Sequence, residues 1–249
     1  MKIGVFDSGV GGLTVLKSLH ESGLFSEIIY FGDTARVPYG SKDKNTIIRY
    51  SLEAVEFFKN FDIDLLVVAC NSVSATALPQ MREEANFPVV GVVEAGVLAI
   101  EKQRVSKDEK ILIIGTKATI ESNIYQNELQ NSGYKNLNGI ETSLFVPFVE
   151  NGILSGEPLH AILKHYFQNI ENPEHIILGC THFPIIGDEI ANFFQKTPQL
   201  VHSGDAIMEY LKSEFQLKRN SKTELKFFAS ENPDNLKRFA KEIVKININ

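Results

Sequence analysis

Two cysteines occupy the same kind of position in this chain, and they are its only cysteines among 249 residues. Cys70 closes the apolar run in LLVVACNS (65–72), and Cys180 closes the one in HIILGCTH (175–182). A lone thiol at the end of a buried strand usually serves only as packing. Because both thiols share this setting, the sequence raises the sharper hypothesis that the two act together in chemistry.

The residues after the two thiols could support acid–base chemistry and bind an anion. They are an amide, two hydroxyls and an imidazole: Asn71, Ser72, Thr181 and His182. A thiol at the start of a helix has its thiolate stabilised by the helix dipole, and its pKa then falls below the usual value of about 8.5. His182 is close enough in sequence to exchange a proton with Cys180 or to bind a ligand. The alternative for His182 is a histidine packed in the core.

A glycine-rich turn, FDSGVGG (6–12), follows the first apolar run. Such turns let backbone amides approach an anion at a helix N-terminus. The glycines fit neither G-x-G-x-x-G nor the P-loop pattern, so the nucleotide-binding motifs are not met. Asp7 and Ser8 precede these glycines. Asp7 is either the N-cap of the following helix or a catalytic carboxylate.

Three further polar turns give weaker signals. The PYGS turn (38–41) either forms a pocket wall or is a plain Pro/Gly turn. The hydroxyls of GTKAT (115–119) either bind an anion or cap the helix that follows. Glu150, in VPFVENG (146–152), reads by itself as a surface carboxylate. The candidate residues in the first two turns are Pro38, Tyr39, Gly40, Thr116 and Thr119.

Short apolar runs alternate with helical patterns along almost the whole chain. The runs predict strands near 2–6, 27–31, 64–69, 89–93, 110–114, 141–145, 174–178, 199–202 and 224–228. Within KNTIIRYSLEAVEFF (44–58), apolar residues recur at helical spacing: Ile48, Leu52, Val55 and Phe58. Continuous Ile/Val/Leu strands joined by helices predict an α/β fold with largely parallel sheets covered on both faces.

The two cysteines fall in two similar halves of the chain. Each half opens with Lys–Ile and an apolar strand, at Lys2 and Lys110, and reaches its cysteine after a similar length of chain. This predicts two similar α/β domains with the active site in the cleft between them, at the carboxyl ends of the strands. Chance similarity is the alternative, because few side chains are identical. The charged segment EKQRVSKDEK (101–110) is the predicted crossing point between the halves.

Composition argues against several other classes of protein. The 31 acidic and 25 basic residues give a net charge of −6, which disfavours nucleic-acid binding. No apolar run reaches the roughly 18 residues that a membrane span needs. Asp7 comes too early for the apolar region of a signal peptide, so a cytoplasmic protein is expected. Two cysteines form no disulfide framework, and Cys70 lacks the accompanying ligands of a zinc site, so no metal site is expected.

Several motifs together resemble those of the bacterial glutamate racemases. In chain order they are FDSGVGG, VPYGSK, ACNS, GTKAT, PFVENG and GCTHFP, and they span nearly the whole chain. The resemblance is to the glutamate branch of a wider group that includes aspartate and hydantoin racemases with the same paired cysteines. It implies interconversion of L- and D-glutamate without a cofactor, to supply D-glutamate for peptidoglycan, by a protein that forms a homodimer.

The resemblance also implies a role for each candidate residue. Cys70 matches the thiol that deprotonates D-glutamate, and Cys180 matches the thiol that acts on L-glutamate. Asp7 and His182 match the groups that assist these thiols, and Glu150 matches a further acidic residue near the site. The positions that match substrate contacts are Asp7, Ser8, Pro38, Tyr39, Gly40, Asn71, Ser72, Thr116, Thr119, Thr181 and His182.

Two further expectations come from the resemblance. Ser72 stands where the family more often has threonine, and because a hydroxyl is kept, little functional change is expected. The first domain is expected to combine residues 1–92 with 208–249, and the second to span 93–207.

Other functions remain open at this point. A cysteine hydrolase or transferase would use Cys180 with His182 as nucleophile and base, but it leaves Cys70 without a role. A noncatalytic ligand-binding protein would keep both thiols inert in the core. Within the racemases, aspartate is the alternative substrate.

Overall fold

Two parallel β-sheets organise the computed structural model, which describes residues 1–220 and 222–246. The first sheet contains, in spatial order, β4 (Val89–Gly91), β3 (Leu65–Val68), β1 (Lys2–Asp7), β2 (Glu27–Gly32) and β9 (Glu224–Ala229). The second contains β6 (Asn136–Glu141), β5 (Lys110–Gly115), β7 (His175–Gly179) and β8 (Gln199–Val201). All the strand pairs described in both sheets are parallel. The predicted α/β class with two similar parallel-sheet units is confirmed.

Helices connect the strands and cover the sheets. They are α1 (Leu13–Glu21), α2 (Lys44–Phe58), α3 (Asn71–Thr76), α4 (Leu78–Glu84), α5 (Val92–Lys102), α6 (Lys117–Glu121), α7 (Ile124–Asn131), α8 (Phe145–Glu150), α9 (Glu157–Phe167), α10 (Gly187–Phe193), α11 (Ser203–Glu214) and α12 (Pro233–Phe239). Short 3₁₀ turns occupy Thr34–Arg36, Tyr39–Ser41 and Phe183–Ile186, and a π-helical turn occupies Ala240–Val244. Within the described residues, none of these helices has both the length and the apolar character to cross a membrane.

The two sheets repeat the same strand order. Along the first sheet β1 to β4 lie in the order 4-3-1-2, and along the second β5 to β8 lie in the order 8-7-5-6. The predicted internal repeat is therefore present in the topology. The chain leaves the first sheet after β4 and returns to it with β9, which pairs with β2. The two connecting helices, α5 and α11, pack against each other, and the predicted crossing segment 101–110 lies at the end of the first connection.

Burial explains why the strands adopt this order. The central strands β1, β3, β5 and β7 are almost entirely buried, as expected for continuous apolar runs covered on both faces. The outer strands β6 and β9 are only partly buried, and β6 alternates between exposed and intermediate positions. The most continuous apolar runs thus lie at the centre of each sheet, whereas the edge strand β4 is short and also buried.

One predicted strand is wrong. The sequence predicted a strand at 141–145, but β6 lies at Asn136–Glu141, and α8 begins at Phe145. NLNGIE contains asparagine and glycine, which disfavour strands, and it tolerates them because it forms a half-exposed edge. Phe145, Val146 and Val149 belong instead to the buried face of α8, whereas Leu144 precedes the helix and is exposed.

Helix α2 begins where the sequence favours a start. The side chain of Asp43 accepts a hydrogen bond from the backbone N–H of Thr46 at 3.0 Å, an N-cap. Val55 and Phe58 are buried as predicted, whereas Ile48 and Leu52 are only partly buried. The buried face is centred one residue away from the predicted one, and it includes Ile47 and Ser51.

Candidate active site

The carboxyl ends of neighbouring strands bring the candidate residues together. In the first sheet β1 pairs with β3, so Asp7 and Ser8 emerge beside Cys70. In the second sheet β5 pairs with β7 through Gly115 and Gly179, so Thr116 emerges beside Cys180. Each sheet therefore presents one thiol at the same edge, as the repeat predicted.

Both thiols line one pocket. Most of the predicted site residues line it too: Ser8, Pro38, Tyr39, Gly40, Asn71, Ser72, Thr116, Glu150, Thr181 and His182. Asp7 and Thr119 lie behind this wall, where their side chains contact the lining residues Thr181 and Thr116. The sequence motifs from both halves of the chain thus converge on a single concave site.

Cys180 belongs to a line of three polar groups. Its Sγ lies 3.6 Å from Nδ1 of His182, and Nε2 of His182 lies 3.0 Å from Oε1 of Glu150. Burial alone would lower the pKa of His182, but the contacts with Cys180 and Glu150 outweigh burial and raise that pKa to about 10. The raised pKa favours the protonated imidazole of His182 at neutral pH, and a positive charge beside a cysteine sulfur favours thiolate character there. Glu150, at the end of α8, is partly exposed and connects this line to solvent.

Cys70 has different partners. Its thiol contacts Oγ of Ser8 at 3.5 Å and lies at the N-cap position of α3. Burial, and next the nearby charge of Asp7, raise the pKa of Cys70 to about 12, although Ser8 and the N–H of Val73 act in the opposite direction. The lowered pKa expected of a thiol at a helix start is therefore wrong for Cys70, because burial and Asp7 outweigh the helix start, and Cys70 holds its proton as a thiol.

Asp7 is fully buried at the end of β1 and contacts both halves of the site. Its carboxylate accepts a hydrogen bond from the N–H of Gly9 at 2.9 Å and another from Oγ1 of Thr181 at 3.4 Å. Burial raises the pKa of Asp7, while the charge of His182 and these hydrogen bonds oppose the rise. Asp7 therefore joins the Cys70 side of the pocket to the turn that carries Cys180.

The glycines of FDSGVGG allow close packing in this region. A Cβ on Gly11 would lie 2.4 Å from Oγ1 of Thr181, and a Cβ on Gly12 would lie 2.3 Å from Cβ of Asp7. Both distances are far shorter than any real contact. The absence of a side chain at Gly11 thus lets the first turn pack directly against the turn after Cys180, and its absence at Gly12 leaves room for Asp7.

A chain of hydroxyls crosses between the two sheet units. Oγ of Ser72 lies 2.8 Å from Oγ1 of Thr116, which lies 3.2 Å from Oγ1 of Thr119. Thr116 is also the N-cap of α6, since its side chain accepts a hydrogen bond from the N–H of Thr119. The helix-cap interpretation of Thr116 is therefore confirmed, and the residue also lines the pocket.

The PYGS turn forms a pocket wall, as one of its two interpretations predicted. The buried Tyr39 donates its hydroxyl to the carboxylate of Asp33, which is itself buried and paired with Nε of Arg36 at 2.6 Å. A Cβ on Gly40 would lie 2.4 Å from Cβ of Thr116. This turn therefore reaches across to the second unit and rests on it without an intervening side chain.

Some residues that shape the site were not found from the sequence. Val37 and Val146 supply apolar lining, and both lie in quoted motifs but carry no chemical signature of their own. Asn71 has two buried partners, Tyr125 and Ser203, which are distant in the sequence. Such partners can be identified only once the tertiary fold is known.

The described residues contain no candidate metal site. Within residues 1–220 and 222–246, no group of three or more histidine, cysteine, aspartate or glutamate side chains is arranged to hold a metal ion. Both cysteines are free thiols.

Comparison with known proteins places this arrangement in a family. Residues 13–211 match the family described as Asp/Glu/Hydantoin racemase. The chain belongs to this racemase family. It is 60% identical to a glutamate racemase from a Nitratiruptor species over 241 residues, which cover 96% of this chain and 95% of the relative.

Solved structures of racemases share the fold. The glutamate racemase from Campylobacter jejuni subsp. jejuni superposes with a TM-score of 0.97 at 52% identity, covering all of both chains. The glutamate racemase from Francisella tularensis, solved in complex with D-glutamate, gives a TM-score of 0.87 at 31% identity, covering 100% of this chain and 95% of that one. The predicted family membership is confirmed, and this racemase is an enzyme of the isomerase class.

Proposed function

We propose that this racemase interconverts L- and D-glutamate with two opposed thiol bases and without a cofactor. The observation that carries the proposal is the presence of Cys70 and Cys180 in one pocket, each at the carboxyl end of a strand in a different sheet. Inversion of a stereocentre requires a base on one face of the α-carbon and an acid on the other. Two thiols from two related units meet this requirement without turning the substrate over.

The L-to-D reaction starts from a Cys180 thiolate and a Cys70 thiol. Cys180 removes the α-proton, so a C–H bond breaks, an S–H bond forms, and the electron pair remains on the α-carbon beside the carboxylate. Cys70 then delivers its proton to the opposite face and becomes the thiolate. Each turnover leaves the proton on the other sulfur, so the free enzyme exists in two protonation forms.

The surroundings of the thiols support this starting state. The imidazolium of His182 stabilises the Cys180 thiolate, and Glu150 holds the imidazolium in place. The high pKa of Cys70, raised to about 12 by burial and by Asp7, keeps its proton available for delivery. The α-proton of an amino acid is very weakly acidic, so the enclosed site must also stabilise carbanion character and exclude water.

Local dipoles must bind the two carboxylates of the substrate. The net charge of −6 gives no long-range attraction for an anion, so binding depends on groups inside the pocket. The wall offers hydroxyls and an amide for this purpose: Ser8, Asn71, Ser72, Thr116 and Thr181. Asp7 and Thr119, behind the wall, orient Thr181 and Thr116.

The assignment of glutamate rests on the relatives. They are named glutamate racemases, and the similarity covers nearly their full length. From the same likeness we propose that the product supplies D-glutamate for peptidoglycan in the cytoplasm and that the enzyme works as a homodimer. The proposed domain layout, 1–92 with 208–249 and then 93–207, agrees with the return of β9 to the first sheet.

Proton exchange in D₂O without added cofactor tests the reaction and the substrate together. The protein is incubated with L-glutamate or L-aspartate, optical rotation reports racemisation, and ¹H NMR reports deuterium at the α-carbon. We expect loss of rotation for glutamate, with solvent deuterium in the D-product from the start. Deuterium entering aspartate alone would make this an aspartate racemase, and no exchange in either would contradict both assignments.

Single substitutions at the thiols test the two-base mechanism. Cys70→Ser and Cys180→Ser should each lower the racemisation rate by at least about 10²-fold, the contribution expected of one positioned acid or base. Melting temperatures close to that of the parent show that both variants are folded. Full racemase activity in either variant would exclude the two-thiol mechanism and favour chemistry at one cysteine.

A further inference from the structure

Asn71 follows Cys70 directly, and its side chain is held by residues that lie far away in the sequence. The hydroxyl of Tyr125 donates a hydrogen bond to Oδ1 of Asn71 at 2.8 Å, and Nδ2 of Asn71 donates to Oγ of Ser203 at 3.3 Å. All three residues are buried. Tyr125 lies on α7 of the second unit, whereas Asn71 begins α3 of the first, so this contact joins the two units next to a thiol.

The hydrogen-bond network fixes which way the amide points. Ser203 directs its own hydroxyl proton to the carbonyl oxygen of Leu178 at 3.5 Å, so its oxygen accepts from Asn71. Burial raises the pKa of Tyr125, so the phenol keeps its proton and acts as a donor. The amide oxygen therefore faces Tyr125 and the amide nitrogen faces Ser203. If the amide rotated by half a turn while these hydroxyl protons kept their positions, its nitrogen would face the donor Tyr125 and its oxygen would face the acceptor oxygen of Ser203.

The position of the Tyr125 ring is set by a connecting helix. A Cβ on Gly96 of α5 would lie 3.1 Å from Cε1 and 3.3 Å from the hydroxyl oxygen of Tyr125. The ring therefore packs directly against the helix backbone, which leaves the hydroxyl little freedom to move. Its one described hydrogen bond is the one to Asn71.

We infer that Tyr125 is a positioning residue that acts through Asn71 to orient the turn carrying Cys70. The inference rests on the proposed racemase reaction, in which Asn71 lines the pocket beside the thiol. Removal of the phenol hydroxyl leaves Oδ1 of Asn71 without its buried donor, and the amide can then rotate away from its productive orientation. Small displacements of groups around a reacting centre have large effects on rate.

Tyr125→Phe tests this role because it removes only the hydroxyl and keeps the packed ring. We expect kcat/KM for glutamate racemisation to fall about tenfold. The matched control is Tyr134→Phe, because Tyr134 is equally buried and donates its hydroxyl to the carbonyl oxygen of Ile100 at 3.4 Å, away from the pocket lining. The control should lose a similar amount of thermal stability and keep the parent kinetics.

A double mutant shows whether the effect passes through Asn71. When Tyr125→Phe is added to Asn71→Ala, kcat/KM should change by less than about twofold, because the partner of the hydroxyl is already absent. A further tenfold fall in that background would overturn the inference, as would parent kinetics in Tyr125→Phe itself. An equal kinetic loss in Tyr134→Phe would overturn it too, since the effect would then be one of general stability.

An NMR measurement separates this inference from the proposed function. The side-chain amide signals of Asn71 are identified by their absence in Asn71→Ala, and they should shift in Tyr125→Phe but not in Tyr134→Phe. If the parent enzyme does not racemise glutamate, the proposed function fails while the amide signals still report the contact. If the parent is active and the Asn71 signals stay unchanged in Tyr125→Phe, only the positioning role is wrong.

Discussion

Nδ1 of His182 lies 3.6 Å from Sγ of Cys180, whereas the contact of the Cys70 thiol is the hydroxyl of Ser8. The two thiols are equally exposed, at 6% each, so access does not distinguish them. Their partners do: a positive imidazolium stabilises a thiolate at Cys180, and burial with a nearby carboxylate favours a thiol at Cys70. The duplicated scaffold therefore holds two chemically unequal cysteines.

Alkylation rates should reveal this inequality. In the ligand-free protein at about pH 8, iodoacetamide should modify Cys180 at least roughly tenfold faster than Cys70, because only a thiolate reacts. Peptide mass spectrometry over a time course measures the two rates separately. His182→Gln removes the imidazolium and should slow the labelling of Cys180 towards the rate of Cys70. Faster labelling of Cys70 in the parent would contradict this assignment of the resting protons.

Glu150→Gln should destabilise the protein in a pH-dependent way. The pKa of His182 is raised from 6.5 to about 10, so the stability it contributes is fully present below pH 6.5 and is lost as pH rises to about 10. Glutamine weakens this contribution because it removes the negative charge of Glu150, which helps to raise the pKa of His182. The difference in unfolding free energy between parent and variant should therefore be largest near pH 6.5 and shrink towards pH 10.

Urea titrations at several pH values measure that difference. Glu141→Gln is a suitable control, because Glu141 is an exposed carboxylate whose side chain accepts from Ser143 at 2.9 Å, away from His182. A difference for Glu150→Gln that grows as the pH rises would contradict the ion pair with His182.

Gly40→Ala should damage catalysis more than stability. The new Cβ would lie 2.4 Å from Cβ of Thr116, so the turn that carries Tyr39 must move away from the second unit. A displacement of about 1 Å can cost roughly 10²-fold in rate. Steady-state kinetics and thermal melting measure the two effects. Gly139→Ala is the control, because its nearest neighbour is Nε2 of Gln126, the end of a flexible side chain. Parent kinetics in Gly40→Ala would show that the contact with Thr116 is dispensable.

Two substitutions at Ser72 test whether the site requires a hydroxyl at this position or serine itself. Ser72→Thr keeps the oxygen that lies 2.8 Å from Oγ1 of Thr116, so kcat and KM should stay within about twofold. The added methyl group enters a buried site and should cost about 1 kcal/mol of stability. Ser72→Ala removes the oxygen and should raise KM several-fold, about the effect of losing one hydrogen bond of ~1 kcal/mol. Equal kinetics in Ser72→Ala and the parent would show that this hydroxyl does not contribute to binding.

The fold was predictable wherever apolar content was continuous. Strands β1, β3, β5 and β7 are buried and mostly apolar, and each was predicted within one or two residues of its place. Strand β6 was misplaced because an edge strand is half exposed and does not need a continuous apolar sequence. The Asn and Gly residues in 136–141 are more typical of a turn. Edge strands depend on pairing with a neighbour, which the local sequence does not specify.

The site was predictable where the chemistry depends on residue type. Cys70, Cys180, His182 and Glu150 meet in one pocket, as the motifs predicted. Tyr125 and Ser203 carry no such signal, because tyrosine and serine occur in many structural roles. Their role here follows only from their hydrogen bonds to Asn71, which depend on the tertiary fold. Likewise, the contact between Asp7 and Thr181 depends on how the two units face each other.

Thermodynamics limits how far the unequal partners of the two thiols can affect the kinetics of the two directions. L- and D-glutamate are mirror images with the same free energy in water, so their equilibrium constant is one. For any enzyme that interconverts them, kcat/KM must then be equal in the two directions, whether a thiol has an imidazolium or a serine beside it. The asymmetry between Cys180 with His182 and Cys70 with Ser8 can therefore make kcat and KM differ between the enantiomers, but it cannot make their ratio differ.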